Sequence, residues 1–152
     1  MKHNLFFATL LVGFVSVIMG WVLHPREESP QPETMPLVPM MQQLLTDMHQ
    51  VDIGIYTEDF ELIEEGAGNI SDHPTMTEKD KKLVKTTLGA EMEQFVEYDM
   101  IVHHHADSMR LAALQENMQE VLHHYRIVQQ GCVNCHSNYR ETISSARLKD
   151  GN

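Results

Sequence analysis

The sequence predicts an all-α fold, an antiparallel four-helix bundle that follows an N-terminal hydrophobic signal or anchor helix. From Leu37 onward, apolar residues recur three and four residues apart in four successive stretches, which is the period of one helix face. No stretch of useful length alternates apolar and polar residues as a half-buried strand does. Because the connections between the four stretches are short, consecutive helices are expected to be antiparallel neighbours.

Residues 1–24 form the hydrophobic segment. Lys2 and His3 precede an uncharged run from Asn4 to Leu23, which is about as long as the ~20 residues that cross a bilayer. The run ends without the small-residue pattern of a cleavage site. We therefore expect an uncleaved anchor in the inner membrane, with the rest of the chain on the periplasmic side. A cleaved secretory signal, which would leave a soluble periplasmic protein, is the alternative.

Residues 25–36 are predicted to be a tether between this segment and the bundle. Five of the six prolines of the chain lie between His24 and Pro39. Proline lacks an amide hydrogen and fixes φ, so a regular helix is not expected here. A proline-rich chain is extended and stiff, and it would hold the bundle away from the membrane surface.

The first two helices are predicted within residues 37–70. Asp59 is placed to cap the start of the second helix, and the sequence Asp72-His73-Pro74 interrupts the helical pattern after it. The stripe of the first helix consists of Leu37, Met41, Leu44, Met48, Val51 and Ile55. The shorter stripe of the second helix consists of Phe60, Ile63, Ala67 and Ile70.

A single third helix and a long fourth helix are predicted to follow. Thr77 and Asp80 open the third in a capping-box-like arrangement, and Asp99 falls on its apolar stripe, where it needs a charged partner or water. The stripe of the third helix continues through Leu88, Met92, Phe95, Val102, Ala106 and Met109. The stripe of the fourth consists of Leu114, Met118, Val121, Tyr125, Val128, Cys132, Cys135 and Tyr139. We assign the bundle domain to residues 37–147 and a short tail to residues 148–152.

The motif Cys132-Val133-Asn134-Cys135-His136 contains both cysteines of the chain. C-x-x-C-H is the attachment sequence of a c-type haem, in which both thiols become thioethers and the histidine binds the iron. Residues three and four apart share one helix face, so all three side chains can reach a single porphyrin. The alternative is a disulfide or redox dithiol, but the sequence lacks the βαβ pattern expected around a redox dithiol. We predict one covalent haem c, attached at Cys132 and Cys135 and ligated by His136.

Four helices with this motif late in the last one resemble the cytochrome c-prime family, the class II c-type cytochromes. The match is Cys132-Val133-Asn134-Cys135-His136-Ser137-Asn138-Tyr139-Arg140, the C-x-x-C-H-x-x-Y-R form of that family. The resemblance implies an exported monohaem protein that transfers electrons or, in some branches, binds small gases. It also implies that Arg140 lies beside the haem, where it can pair with a propionate. A surface charge is the alternative for Arg140.

The resemblance also suggests the second iron ligand. In the low-spin branch of the family, a methionine from the first helix supplies it, in a pattern like M-x-x-[LI]-x-x-x-M. Met41-Gln42-Gln43-Leu44-Leu45-Thr46-Asp47-Met48 matches that pattern. In an antiparallel bundle the start of the first helix lies beside the end of the fourth, which brings Met41 near the height of His136. Helical geometry alone does not exclude Met48, and it is the resemblance to the Met-ligated branch that favours Met41 as the ligand together with His136. Met40, Met48 and an open site remain the alternatives.

These features together predict a periplasm-facing electron-transfer protein that is not an enzyme. The sequence contains no pattern that we recognise as a catalytic base, a nucleophile or a substrate pocket. The net charge of −11 argues against nucleic acid as a partner and suits charge steering toward redox partner proteins. A homodimer is compatible with the sequence. The alternatives are a five-coordinate cytochrome c-prime that binds NO or CO, and a haem-bearing subunit of a larger respiratory complex.

A second metal site could be suspected at two runs of histidine, His103-His104-His105 and His123-His124. Consecutive helical residues point about 100° apart, so three in a row cannot share one face. We expect these histidines to lie on a solvated surface or at the haem edge, without a second metal.

Overall fold

In the computed structural model, residues 33–151 are described, and they are almost entirely helical. The predicted anchor, residues 1–24, and most of the predicted tether lie outside this range. Within residues 33–151, no helix combines the length and apolar character needed to cross a bilayer. The elements are β1 (Thr34–Met35), α1 (Leu37–Thr57), α2 (Phe60–Ser71), β2 (Thr75–Met76), α3 (Glu78–Leu88), a 3-10 segment (Gly89–Glu91), α4 (Met92–Leu114) and α5 (Met118–Lys149).

The boundary between α1 and α2 follows the capping prediction. Glu58, with φ of 55°, ends α1 in the left-handed region. Asp59 then caps α2, because its Oδ1 accepts hydrogen bonds from the backbone amides of Glu61 and Leu62, each at 3.1 Å. The prediction that Asp59 is the N-cap of the second helix is confirmed.

The prediction of one continuous third helix is wrong. The chain leaves α3 at Gly89, whose φ of 55° and ψ of −116° are accessible chiefly to glycine, and it restarts as α4 after one 3-10 turn. The predicted fourth helix also starts too early, because Leu114 ends α4 and is 59% exposed. Asn117 begins α5 by accepting a hydrogen bond from the amide of Glu120 at 3.3 Å.

Four long helices, α1, α2, α4 and α5, pack as a bundle, and α3 packs against α5. The all-α bundle predicted from the sequence is therefore confirmed. Neighbouring helices are antiparallel. On α2, Gly68 approaches Arg110 of α4, whereas Ser71, later on α2, meets His103, which is earlier on α4. The strands β1 and β2 pair in parallel and tie the chain before α1 to the loop before α3.

Two apolar clusters hold the bundle together. The larger one, here called the bundle core, lies among α1, α2, α4 and α5, and the smaller one, here called the end cluster, joins α3 to the start of α1 and the end of α5. The bundle core consists of Val51, Ile63, Ala67, Ile70, Val102, Ala106, Met109, Ala112, Ala113, Val121 and Val128. The end cluster consists of Leu37, Met40, Val84, Leu88, Tyr139 and Ile143.

The buried face of α1 matches the predicted stripe only in part, since Leu37 and Val51 are buried as predicted but most of the stripe is not. Asp47, Val51 and Gly54 are buried, and Asp47 is only 2% exposed. These residues face α2, because Gly66 brings the backbone of α2 against Asp47 and Val51. The predicted stripe residues Met41, Leu44, Met48 and Ile55 form a second, half-buried strip that packs on the two clusters.

Candidate functional site

The two cysteines of the C-x-x-C-H motif lie where the two apolar clusters meet. Cys132 packs against the bundle core and Cys135 packs against the end cluster, one helical turn further along α5. Both are half-buried free thiols. The motif therefore spans the junction between the clusters and presents its two sulfur atoms to apolar surroundings.

Gly131 brings α4 unusually close to the start of this motif. A Cβ atom at Gly131 would lie 2.9 Å from Cγ2 of Val102, and the nearby contacts are also residues of α4, Ile101 and Tyr98. The glycine lets α4 pack directly on the backbone that leads into Cys132. The position of the motif relative to α4 is therefore fixed by backbone packing.

Several aromatic rings lie in or against the end cluster on which Cys135 packs. Phe95 and Tyr98 from α4 pack with Cys135 against the end cluster, which contains Tyr139. The ring centroids of Phe95 and Tyr139 are 5.8 Å apart in an edge-to-face arrangement, and those of Tyr98 and Tyr139 are 6.2 Å apart. Asn138 also donates a hydrogen bond to the Tyr98 hydroxyl at 3.3 Å. Flat apolar surfaces of this kind suit a planar aromatic ligand such as a porphyrin.

The electrostatics of the motif disfavour thiol redox chemistry. Burial raises the pKa of the Cys132 thiol. Burial, the negative charge of Asp99 and the neighbouring Cys132 raise the pKa of Cys135 to about 11. Reactive dithiols have lowered pKa values because positive surroundings stabilise the thiolate. Both thiols here are protonated at neutral pH, which is the opposite arrangement.

His136 and Arg140 follow on α5 and are exposed, four residues apart on one side of the helix. The His136 ring is thus accessible from outside the two clusters, whereas the preceding cysteine is packed against one of them. The structure describes Arg140 as a surface residue, and its predicted place beside a haem propionate stays a prediction.

Met41, on α1, packs against the same end cluster as Cys135 and is half-buried. Met40 is 4% exposed and belongs to the cluster itself. Met48 packs instead against the bundle core, as Cys132 does. Of the three candidate methionines, Met41 is the one that is both partly accessible and packed on the cluster that Cys135 touches.

The contact between α1 and α5 is made mainly by side chains, and the two backbones do not approach each other closely. The helix pairs with the closest backbones are α1–α2, α2–α4 and α4–α5, and α1–α5 is not among them. The Tyr125 hydroxyl on α5 nevertheless donates a hydrogen bond to the Asp52 carboxylate on α1. The end cluster joins the same two helices near Met41 and Cys135.

Comparisons with known family models, curated proteins and solved structures find no match to this chain. The resemblance to class II cytochromes therefore depends on the haem-attachment motif and the helical pattern of the sequence alone.

Three further residues converge beside this region, and the sequence did not predict their meeting. His73 from the loop after α2 meets Asp99 and His103 from α4, and one ligand atom of each lies within 4.8 Å of the others. Nε2 of His73 is 3.8 Å from Oδ1 of Asp99, and Nε2 of His103 is 3.7 Å from Oδ2 of Asp99. The spacing of Asp99 and His103 on one helix face was visible in the sequence, but the position of the loop that carries His73 was not.

The histidine runs, which were expected on a solvated surface or at the haem edge, are only partly exposed to solvent. Of the first run only His104 is exposed, whereas His103 and His105 are half-buried. Nδ1 of His105 lies 2.9 Å from Nδ1 of His124 on α5, so one of these two nitrogens donates a hydrogen bond and the other accepts it. Burial, followed by the charges of His105 and His123, lowers the pKa of His124.

Proposed function

We propose that this protein is a monohaem c-type cytochrome that transfers electrons on the periplasmic side of the inner membrane. The observation that carries the proposal is that Cys135, from the C-x-x-C-H motif, and Met41, from the predicted ligand pattern, pack against the same end cluster. Residues far apart in the sequence, and singled out for the same chemistry, come together on one apolar surface.

The residues present fit a covalent haem. Cys132 and Cys135 are free thiols in apolar surroundings, three residues apart on α5, and His136 directly follows with an exposed ring. In this proposal Cys132 and Cys135 hold the porphyrin through thioethers, and His136 and Met41 bind the iron. When bound, the haem supplies an iron centre that accepts and releases one electron.

The protein would tune that centre through its own side chains. The end cluster, with the rings of Phe95, Tyr98 and Tyr139, would give the haem apolar surroundings on the side that carries Cys135. A methionine thioether favours the ferrous state, so Met41 would raise the reduction potential above that of a site ligated by His136 alone. Arg140 is proposed to lie near a propionate, where its positive charge would partly offset the propionate charge.

The remaining parts of the proposal concern location and partners. We infer that residues 1–24 anchor the protein in the inner membrane and that residues 25–36 hold the bundle away from it. The net charge of −11 would steer the domain toward redox partner proteins with basic surfaces. N-terminal sequencing of the protein from a membrane fraction tests the anchor, since a mature chain that starts near Pro25 would mean a cleaved signal.

Absorption spectra of the oxidised and the reduced protein, each with and without CO, test the proposed function. A site ligated by both His136 and Met41 should give low-spin spectra, and CO should not change the reduced spectrum at once. A high-spin spectrum with immediate CO binding would contradict the electron-transfer assignment and support the gas-binding alternative. The absence of haem absorption in protein from a host that matures c-type cytochromes would contradict both.

A further inference from the structure

We propose that His73, Asp99 and His103 form a mononuclear site for a divalent transition-metal ion, separate from the haem-attachment motif. Two imidazoles and one carboxylate converge there from two elements, with ligand atoms within 4.8 Å of one another. The proposal does not depend on haem binding, because none of these three residues belongs to the C-x-x-C-H motif or is a candidate haem ligand.

The hydrogen bonds of the two histidines orient them for metal binding. Nδ1 of His73 lies 2.9 Å from the Pro74 carbonyl oxygen, and Nδ1 of His103 bonds to the Ser71 carbonyl oxygen. A carbonyl oxygen only accepts hydrogen bonds, so Nδ1 carries the hydrogen in both rings. The neutral rings therefore hold a lone pair on Nε2, and in both it is Nε2 that approaches Asp99. Metal-binding histidines are typically held in this way, through the ring nitrogen that does not bind the ion.

The distances suit ligands around one ion better than direct hydrogen bonds. The Nε2–carboxylate separations of 3.7 and 3.8 Å exceed the usual range of about 2.7–3.2 Å for a hydrogen bond. Bonds of roughly 2.0–2.1 Å to a tetrahedral zinc ion place two ligand atoms about 3.3 Å apart. Side-chain movements of roughly half an ångström would therefore bring both Nε2–carboxylate distances to this value, and all three ligand atoms already lie within 4.8 Å of one another.

Burial and charge also favour a cation. The His73 side chain is 9% exposed and the His103 side chain 26% exposed, whereas Asp99 is 47% exposed. Asp99 thus leaves an entry path for the ion and room for water as a further ligand. The buried carboxylate of Asp47 also acts electrostatically on His73, in the direction that favours positive charge there.

The ligand set identifies the class of ion. Imidazole nitrogen suits Zn²⁺, Cu²⁺, Ni²⁺ and Fe²⁺, whereas Ca²⁺ and Mg²⁺ prefer sites made of oxygen ligands alone. Three protein ligands leave at least one coordination position open, as in zinc sites that bind water or substrate. Zn²⁺ is the appropriate probe, because it has no redox chemistry and cannot exchange electrons with a haem in the same protein.

Equilibrium dialysis of the full-length protein against Zn²⁺, followed by metal analysis, tests the site. The wild type should retain one zinc ion per chain. Asp99→Asn, which is nearly isosteric, and His103→Ala should each weaken binding at least tenfold. His104→Ala is the matched control, because His104 is the exposed neighbour on the same helix and should bind zinc as the wild type does.

Two further measurements distinguish this site from zinc binding elsewhere on the protein. Zn²⁺ should raise the melting temperature of the wild type and of His104→Ala but not that of Asp99→Asn, since an ion that binds only the folded state stabilises it. Wild-type zinc affinity in Asp99→Asn would overturn the proposal. Loss of zinc in His124→Ala with retention in His103→Ala would also overturn it, because the ion would then belong to the His105–His124 pair. The haem spectrum of each variant reports separately on the proposed function.

Discussion

Arg147, near the end of α5, donates a hydrogen bond at 3.1 Å to Oδ1 of Asp80 on α3. Oδ2 of the same carboxylate accepts from the backbone amide of Leu37, at the start of α1, at 2.9 Å. The Thr77 hydroxyl donates to Oδ2 as well, at 3.0 Å. One carboxylate, 6% exposed, therefore connects the start of α1 with the end of α5. These are the two chain segments whose packing brings Met41 and Cys135 onto the end cluster.

Loss of this carboxylate should strongly destabilise the fold. Asp80→Ala leaves the Arg147 guanidinium and the Leu37 amide without their acceptor, and breaking a buried ion pair typically costs about 3–5 kcal/mol. Glu78→Ala is the control, because Glu78 pairs with Lys81 on the same helix at an exposed site, where a pair is worth ~1 kcal/mol or less. Urea unfolding measures both. Equal losses in the two variants would show that Asp80 does not connect the ends of the bundle.

A pair of glycines on α2 tests the close packing of α1 on α2. A Cβ atom at Gly66 would lie 2.9 Å from the backbone oxygen of Asp47, so Gly66→Ala should cost about 1–3 kcal/mol of unfolding free energy. At Gly68 a Cβ atom would meet only the Cδ atom of the flexible Arg110 side chain, at 3.2 Å. Gly68→Ala should therefore stabilise the protein by up to ~1 kcal/mol through helix propensity. Stability changes of the same sign in both variants would contradict the packing described here.

Acid should destabilise the protein through His124. Burial, with the neighbouring His105 and His123, lowers the pKa of His124 from its ordinary value of 6.5. The unfolded chain therefore takes up this proton more readily than the folded one. The stabilising contribution of the neutral ring is fully present above pH 6.5 and is lost as the pH falls through 6.5 toward the lower folded-state pKa.

Melting temperatures measured in EDTA between about pH 8 and pH 5 test this titration. The decline on acidification should be shallower in His124→Gln than in the wild type. His104→Gln, at an exposed position, should follow the wild type. An identical pH dependence in His124→Gln and the wild type would mean that His124 does not titrate as the structure implies.

Met41→Ala should open the proposed iron site. The variant should lose the low-spin spectrum and bind CO in the reduced state, because the thioether ligand is gone. Met48→Ala removes a similar side chain that packs against the bundle core, and it should keep the wild-type spectra. CO binding gained in Met48→Ala and not in Met41→Ala would instead assign Met48 as the ligand.

Features with a local cause were predictable from the sequence, whereas those that depend on packing were not. The cap at Asp59 follows from short-range backbone hydrogen bonds, and the need of Asp99 for a partner or water follows from its place on the apolar stripe. Asp99 is in fact half-exposed and faces His73 and His103. The helix break at Gly89 was missed, because the apolar period continues across it and glycine in a helix is only mildly unfavourable.

The candidate site was also predictable only where its residues are close together in the sequence. The motif from Cys132 to His136 is contiguous, so its chemistry can be predicted without knowledge of the fold. The buried face of α1 was predicted only in part, because Gly54 and Gly66 allow α2 to approach a side of α1 that carries Asp47 rather than a large apolar residue. His73 could not be linked to α4 because its loop has no periodic pattern that fixes its position.

The mass of the intact, denatured protein tests the central claim most directly. Protein purified from a host that matures c-type cytochromes should carry the mass of one haem, and the variant with both Cys132→Ala and Cys135→Ala should not. Thioether attachment predicts this result, because covalent bonds survive denaturation whereas iron ligation does not. A wild-type chain with the mass of the bare polypeptide, or with two hydrogens lost to a Cys132–Cys135 disulfide, would contradict the haem assignment.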